Sequence, residues 1–321
     1  MAELLIICAV TPTMEARLSQ AFTLHYLRDI EDRAGWLAEN GARVDYVLTD
    51  GHLGVPKDIF DALENLKAIS SYGVGYDGID TAAAVGRNIP VSHTPGVLNE
   101  EVATTALLLM LACYREILPN AELARSGRWA HGGNLPLSRS ADNRTVAILG
   151  LGRIGKAIAR KLAPFNPRIL YTGRSKQDVP FEFVGDLMSM ARQADVLISI
   201  VPGGEATRHL ISADVMAALG PEGILVNVGR GSTVDEPALI EALRDGRLGA
   251  AGLDVFEDEP NIPEALRALP NVVLLPHVGS GTVETRAAMG DLSVKNLLQH
   301  DADGRMLTPV PECAHLVARA G

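Results

Sequence analysis

Short apolar runs recur along the chain, each closed by glycine, proline or a polar turn. Residues 4–10, 44–49 and 68–71 are runs of this kind, and 90–92 is a shorter one. A short apolar run bounded by turn residues marks a strand buried on both faces, as in a parallel sheet. Between these runs, mixed polar–apolar stretches at 14–21 and 31–40 predict helices, with Gly41 placed to close the second. The pattern restarts after residue 144. It predicts strands at 145–149, 168–172, 194–200, 223–228, 249–255 and 272–275, and helices at 153–162, 187–193, 212–219, 236–245 and 283–300. Strands alternating with helices in this way build parallel βαβ units.

Asn99, followed by Glu100 and Glu101, has the composition of a helix start. The helix it opens runs to about residue 116 and is apolar on most sides, which predicts burial between layers or domains. Residues 126–143 hold Gly127, Gly132, Gly133 and Pro136 and predict a loop long enough to serve an interface or a site. The expected fold class is α/β. Two doubly wound parallel-sheet domains, Rossmann-like and flavodoxin-like, are expected with an active-site cleft between them. The six strands of the second series complete a dinucleotide-binding domain at residues 100–283. Residues 1–99 and 284–321 form a discontinuous substrate-binding domain.

Composition narrows the function classes. A chain of 321 residues that is 47% hydrophobic is not intrinsically disordered. Its formal net charge of −10, with no Lys/Arg cluster, argues against nucleic acid and anionic membranes as partners. The longest nearly apolar stretch, 102–113, is too short to span a bilayer. The run at 4–10 follows Glu3 rather than a basic segment, and residues 318–321 are no peroxisomal address. Cys8, Cys113 and Cys313 are far apart without a CxxC, so neither disulfides nor a metal site are expected. These features predict a cytoplasmic protein.

The predicted strand 145–149 leads into Gly150-Leu151-Gly152-Arg153-Ile154-Gly155, which opens a predicted helix. In that context the glycines acquire distinct duties. Gly150 makes the tight turn, Gly152 admits a pyrophosphate to the backbone, and Gly155 lets helix and strand pack closely. An NAD-specific domain carries an acidic residue at the end of the next strand, about 20 residues on, for the ribose hydroxyls. Here that position reads Tyr171-Thr172-Gly173-Arg174-Ser175-Lys176, with no Asp or Glu. Arg174, Ser175 and Lys176 would attract a 2′-phosphate, so NADP(H) is the expected cofactor, with NAD(H) possible.

Three charged or titratable residues follow predicted strands of the same series. They are Arg230 in VNVGRGSTVDE, Glu259 in GLDVFEDEP and His277 in LLPHVGSGT. Ligands of open α/β sheets bind beyond the carboxyl ends of strands, so the three should converge. Reduction of a 2-keto acid needs a hydride donor, a proton donor working near neutrality and a cation for the carboxylate and carbonyl. An imidazole titrates near neutrality, a carboxylate can orient it, and a guanidinium grips two oxygens at once. These become the expected roles of His277, Glu259 and Arg230. The other seven histidines read as surface or core. Gly73-Val74-Gly75, after the strand at 68–71, reads as flexible backbone of the kind that forms an anion nest. The acidic net charge does not exclude an anionic substrate, because local charges govern capture within a Debye length of ~8 Å.

Together YGVGYDGID (72–80), GLGRIG (150–155), VPGGEATRHLI (201–211), VNVGRGSTVDE (226–236), GLDVFEDEP (252–260) and PHVGSGT (276–282) resemble the D-isomer-specific 2-hydroxyacid dehydrogenase family over essentially the whole chain. The resemblance implies Arg230 as ligand of the substrate carboxylate and carbonyl, Glu259 as orienting carboxylate and His277 as acid/base. It implies that the backbone N–H groups of Val74 and Gly75 hold the substrate carboxylate. It places Pro202 and Thr207 along the adenosine–pyrophosphate side, Val228 and Gly229 at the nicotinamide ribose, Asp254 on the carboxamide and Gly279 near the ring. It also implies a homodimer formed through the region of Trp129, whose indole could approach the partner's substrate pocket.

Within the family, the non-acidic turn at 172–175 resembles NADPH-preferring glyoxylate/hydroxypyruvate reductases. Glu259 stands where formate dehydrogenases of the superfamily carry Gln, and Thr104 stands where an acid is frequent. The substrate expected is a small anionic 2-keto acid, glyoxylate or hydroxypyruvate, reduced to the D-2-hydroxy acid. A bulkier acid such as hydroxyphenylpyruvate, admitted by the loops near Leu53, Gly54 and Tyr76, is an alternative. A dinucleotide-sensing scaffold like the family's corepressors is another, of a different class.

Overall fold

The computed structural model describes residues 1–317. Residues 318–321, which close the predicted second segment of the substrate-binding domain and were read for a targeting signal, lie outside the described residues. The chain divides into two units, Met1–Leu98 with the chain from Thr282 onward, and Asn99–Gly281. The junctions fall at helix starts, since Asn99 opens the helix Asn99–Tyr114 and Thr282 caps the helix Val283–Asp303 through its side chain.

The first unit is built on five parallel strands, β1 (Ala2–Ile6), β2 (Phe22–Tyr26), β3 (Val44–Thr49), β4 (Ala68–Ser71) and β5 (Val91–Ser92). Their order is β2-β1-β3-β4-β5, the flavodoxin-like winding. The strand β2 has no counterpart in the sequence reading. It lies at the sheet edge, and of its residues only Phe22 is buried, so it carries no apolar run. Leu5, Val47, Ile69 and Val91 meet Ile59 and Phe60 in one core. The helix Val283–Asp303 packs on β4, with Ser70 Oγ donating to the Ser293 carbonyl at 3.3 Å and Tyr72 Oη to the Arg286 carbonyl at 3.0 Å. Gly41 follows the helix Arg33–Asn40 as expected, but its backbone is right-handed (φ −54°). Glycine is needed there for close approach: a Cβ would lie 2.6 Å from the Ala62 carbonyl oxygen.

The second unit holds seven parallel strands rather than the six expected. They are β6 (Thr145–Leu149), β7 (Arg168–Thr172), β8 (Glu182–Phe183), β9 (Val196–Ser199), β10 (Ile224–Asn227), β11 (Ala250–Leu253) and β12 (Val272–Leu274). The extra strand, β8, is two residues long and forms one edge. The order is β12-β11-β10-β9-β6-β7-β8. The winding reverses between β6 and β9, where open α/β sheets leave a crevice for ligands beyond the carboxyl ends.

The helix Asn99–Tyr114 packs against the helix Arg153–Leu162 and the strands β10, β11 and β12. Contact is close enough that a Cβ on Gly252, in β11, would stand 2.8 Å from Leu109 Cβ. The predicted loop 126–143 contains a short helix, Trp129–Gly132. Gly127, left-handed at φ 72°, ends the preceding helical segment, and the Gly132 N–H closes the new turn on the Arg128 carbonyl at 2.7 Å. Among the described residues no single helix is long and apolar enough to cross a membrane.

Candidate active site

Adjacent strands of the second sheet carry the three candidate catalytic side chains beyond their carboxyl ends: Arg230 after β10, Glu259 after β11 and His277 after β12. His277 Nδ1 lies 2.7 Å from Glu259 Oε2. The ring is 40% exposed while the carboxylate is 14% exposed, so the pair is anchored from below and open at the imidazole. The other carboxylate oxygen of Glu259 accepts the Phe256 N–H at 3.0 Å. Glu259 precedes Pro260 across a cis peptide bond. His277 takes a left-handed backbone (φ 52°), which a non-glycine residue holds only where its surroundings impose it. Here the His277 N–H donates to the Asp254 carbonyl at 2.9 Å, and the Asp254 carboxylate accepts the N–H groups of Val278 and Gly279, each at 2.7 Å.

Asp254 is 1% exposed, and burial pushes its carboxyl up from the usual range, against the pull of those two backbone donors. Both of its oxygens already hold the histidine loop, and a Cβ on Gly279 would approach one of them to 2.8 Å. Thr105 Oγ1 adds a bond to the Gly279 carbonyl at 3.4 Å.

The Arg230 loop is set by Asn227, buried at the end of β10. Its Oδ1 accepts the Gly229 N–H at 3.1 Å and its Nδ2 donates to the Arg230 carbonyl at 2.9 Å, which Thr233 Oγ1 also reaches at 2.6 Å. The guanidinium is directed by a bond from Nη1 to the Gly229 carbonyl at 2.8 Å. Gly231 brings this loop against the next one: a Cβ there would fall 1.9 Å from the Phe256 carbonyl carbon. No side chain fits, so the backbone carrying Arg230 touches the turn that carries Glu259.

The glycine turn divides its duties as the sequence predicts. Gly150 is left-handed (φ 100°), and Gly155 has no room for a side chain because a Cβ would lie 2.3 Å from the Gly150 carbonyl oxygen. Around Gly152 nothing lies within 4 Å of where a Cβ would stand. Gly152 caps the helix Arg153–Leu162 with no side chain, so the N–H groups of Arg153, Ile154 and Gly155 face the turn with the positive end of the helix dipole. An open backbone approach and an uncapped helix N-terminus fit a pyrophosphate.

Arg174, Ser175 and Lys176 are exposed just beyond β7. Gln177 ties their turn to the glycine turn, its Nε2 donating to the Leu151 carbonyl at 2.9 Å and its N–H to Tyr171 Oη at 2.7 Å. The segment after β9 joins the same edge. Thr207 Oγ1 donates to the Pro202 carbonyl at 2.7 Å, and the Val228 N–H to the Ser199 carbonyl at 3.1 Å. Gly229 is pressed on Val201, whose carbonyl oxygen a Cβ would approach to 2.7 Å. Between the ends of β7 and β10 there are three strand spacings, ~14 Å, a span suited to an extended dinucleotide.

The second unit carries this constellation alone. Val74 and Gly75 belong to the first, in the loop after β4. Neither Gly73 nor Gly75 is among the left-handed glycines. The N–H groups of Val74 and Gly75 donate to nothing among the described residues, while the carbonyls of 73, 74 and 75 are all held. Trp129 is 61% exposed, its Nε1 donating to Asn134 Oδ1 at 2.8 Å. Thr104 bonds back along its helix to the Glu100 carbonyl at 2.9 Å.

His209, read as surface or core, holds its Nε2 2.8 Å from Glu257 Oε1, which Arg208 also approaches at 3.1 Å. Its backbone N–H donates to the Ser232 carbonyl at 2.9 Å. This pair braces the arginine loop against the Glu259 turn. The spacing between His209 and Glu257 gives no local signal of it.

Residues 107–279 match the model of the D-isomer specific 2-hydroxyacid dehydrogenase NAD binding domain. The chain belongs to the D-isomer-specific 2-hydroxyacid dehydrogenases. Relatives of this dehydrogenase extend the likeness to nearly its full length. It is 41% identical to glyoxylate/hydroxypyruvate reductase A of Arabidopsis thaliana, over 95% of this chain and 98% of that one. It is 40% identical to hydroxyphenylpyruvate reductase of Plectranthus scutellarioides, again over 95% and 98%. A crystal structure of NADPH-dependent glyoxylate/hydroxypyruvate reductase from Sinorhizobium meliloti, in complex with NADP and malonate, is 42% identical and covers 100% of both chains, with a TM-score of 0.91. The dehydrogenase is thus an NAD(P)-binding enzyme of 2-keto acid reduction.

Proposed function

We propose that the dehydrogenase reduces glyoxylate or hydroxypyruvate to the D-2-hydroxy acid with NADPH, the continuous unit binding the dinucleotide and the discontinuous one the substrate. The observation that carries this reading is the 2.7 Å contact between His277 and Glu259, on a loop edge shared with the Arg230 backbone. The bound cofactor supplies the hydride through its reduced nicotinamide. His277 delivers the proton to the carbonyl oxygen, and Glu259, accepting from Nδ1, turns Nε2 outward to do so. Arg230 neutralises the carboxylate and polarises the carbonyl, and the N–H groups of Val74 and Gly75 hold the carboxylate. Arg153, Ile154 and Gly155 offer N–H groups to the pyrophosphate, and Pro202, Thr207, Val228, Gly229 and Gly279 line the rest of the nucleotide.

Arg174, Ser175 and Lys176 take the 2′-phosphate, a reading favoured by the NADP-bound relative. A panel of 2-keto acids assayed with NADPH and NADH separately tests both halves. NADPH with glyoxylate or hydroxypyruvate should give the highest kcat/KM. Replacing Arg174 and Lys176 together by alanine should lower kcat/KM for NADPH ~10–100-fold and leave NADH nearly unchanged. Preference for NADH in the unaltered enzyme contradicts the assignment. A second reading, a hydroxyphenylpyruvate-type substrate, is favoured by the Plectranthus scutellarioides relative, and the same panel separates the two.

We also propose a homodimer. Leu108, Ile117, Leu118, Trp129 and Leu137 are large apolar residues exposed along one stretch of chain. Light scattering should give twice the 34.1 kDa chain mass. If the Trp129 indole serves the partner's substrate pocket, Trp129→Ala should raise the KM of the keto acid while the dimer persists; an unchanged KM rejects that role.

A further inference from the structure

We infer that His93 aims the Gly75 N–H at the substrate carboxylate and is therefore a positioning residue for 2-keto acid binding. The inference rests on the reading of Val74 and Gly75 given above. The loop leaving β4 presents three consecutive carbonyls, each with its own donor. Gly73 O accepts the Thr94 N–H at 2.8 Å, Val74 O is 2.9 Å from His93 Nδ1, and Gly75 O accepts Ser71 Oγ at 3.1 Å. A carbonyl oxygen only accepts, so Nδ1 carries the proton.

A trans peptide is planar, with the N–H of one residue opposed to the C=O of the residue before it. A donor on the Val74 carbonyl therefore sets where the Gly75 N–H points, and a donor on the Gly73 carbonyl sets the Val74 N–H. The Gly73 carbonyl is held by a backbone group, which any residue but proline at 94 would supply. The plane between Val74 and Gly75 is held by a side chain reaching from beyond β5, and that side chain is His93. Gly51 closes in on the next carbonyl, where a Cβ would lie 2.2 Å from the Gly75 carbonyl oxygen.

His93 is itself held in place. Its backbone N–H donates to the Thr308 carbonyl at 3.1 Å, and its carbonyl accepts Thr308 Oγ1 at 2.6 Å. The Tyr76 ring packs edge-on to the imidazole, with centroids 5.3 Å apart at 88°, and Tyr76 Oη donates to Glu312 Oε2 at 3.2 Å. The histidine that the sequence reading left as surface or core thus sits behind the carboxylate donors rather than in front of them.

The test is steady-state kinetics on the full chain with glyoxylate and NADPH. His93→Phe keeps a ring against Tyr76 and removes the donor; His93→Leu is a second donor-free variant should the first fail to fold. Either should raise the KM of glyoxylate about 5–10-fold, with kcat and the KM of NADPH within about twofold. The Ki of oxamate, which offers the same carboxylate but is not reduced, should rise in step. His93→Asn, whose amide N–H can still donate to the Val74 carbonyl, should recover most of the loss. An unchanged glyoxylate KM in the donor-free variants overturns the inference, and so does a loss spread over kcat and both KM values. Val74→Pro, which deletes a carboxylate donor outright, separates the two levels. A raised KM there with none in His93→Phe removes the role of His93 alone. An unchanged KM there removes the reading of the loop, and the inference with it.

Discussion

His277→Ala should lower kcat about 10²–10⁴-fold while leaving NADPH affinity, read by fluorescence titration, close to that of the unaltered protein. Among the described residues, Glu259 is the side chain in contact with the imidazole, and its carboxylate is held from below. Glu259 faces the ring with Oε2 and is tied to the Phe256 N–H by Oε1. Glu259→Gln should therefore fall between the two. An amide has one oxygen for two donors, so either His277 Nδ1 or the Phe256 N–H loses its acceptor. Near wild-type kcat in His277→Ala rejects the proton-donor assignment, because no general acid can be removed without slowing protonation.

Arg230→Lys should prove almost as damaging as Arg230→Ala, each lowering kcat/KM roughly 10²–10³-fold. Charge is conserved in the first and lost in the second. What both lose is a planar fork able to meet a carboxylate and a carbonyl oxygen together. Guanidinium ion added to Arg230→Ala should return part of the rate, and ammonium should not. A lysine variant with native kcat/KM would reduce the role of Arg230 to a point charge and remove it from the substrate.

The positions of the three candidate catalytic side chains were legible in the sequence because each follows a strand with an apolar run. Arg230, Glu259 and His277 stand directly beyond β10, β11 and β12, and the glycine turn joins a strand to a helix whose bounds match those expected. What escaped was every feature lacking an apolar run or a local spacing. β2 and β8 lie at sheet edges, where one flank needs no partner and polar residues are tolerated. The bond network of Asp254, the contact of Gly231 with Phe256 and the pairing of His209 with Glu257 join residues more than twenty positions apart. Sequence spacing carries no record of such pairs. The loop at Gly73–Gly75 was read as a candidate anion site from its glycines, and neither glycine is left-handed. Its three carbonyls are each anchored, and the N–H groups of Val74 and Gly75 make no bond among the described residues.

The split of the first unit has a consequence for the order in which the chain becomes complete during synthesis. A polypeptide translated only as far as residue 281 already holds all strands of both sheets and every residue of the continuous unit. It still lacks the helix Val283–Asp303, which lies on β4 and supplies the carbonyls of Ser293 and Arg286 to Ser70 and Tyr72. It also lacks Thr308, which grips His93 at both backbone atoms. The split unit is thus completed after the continuous one. A domain that folds as a unit would normally be complete once its own strands are made, but here the loop of Val74 and Gly75 acquires its support only once residues 283–308 have been added.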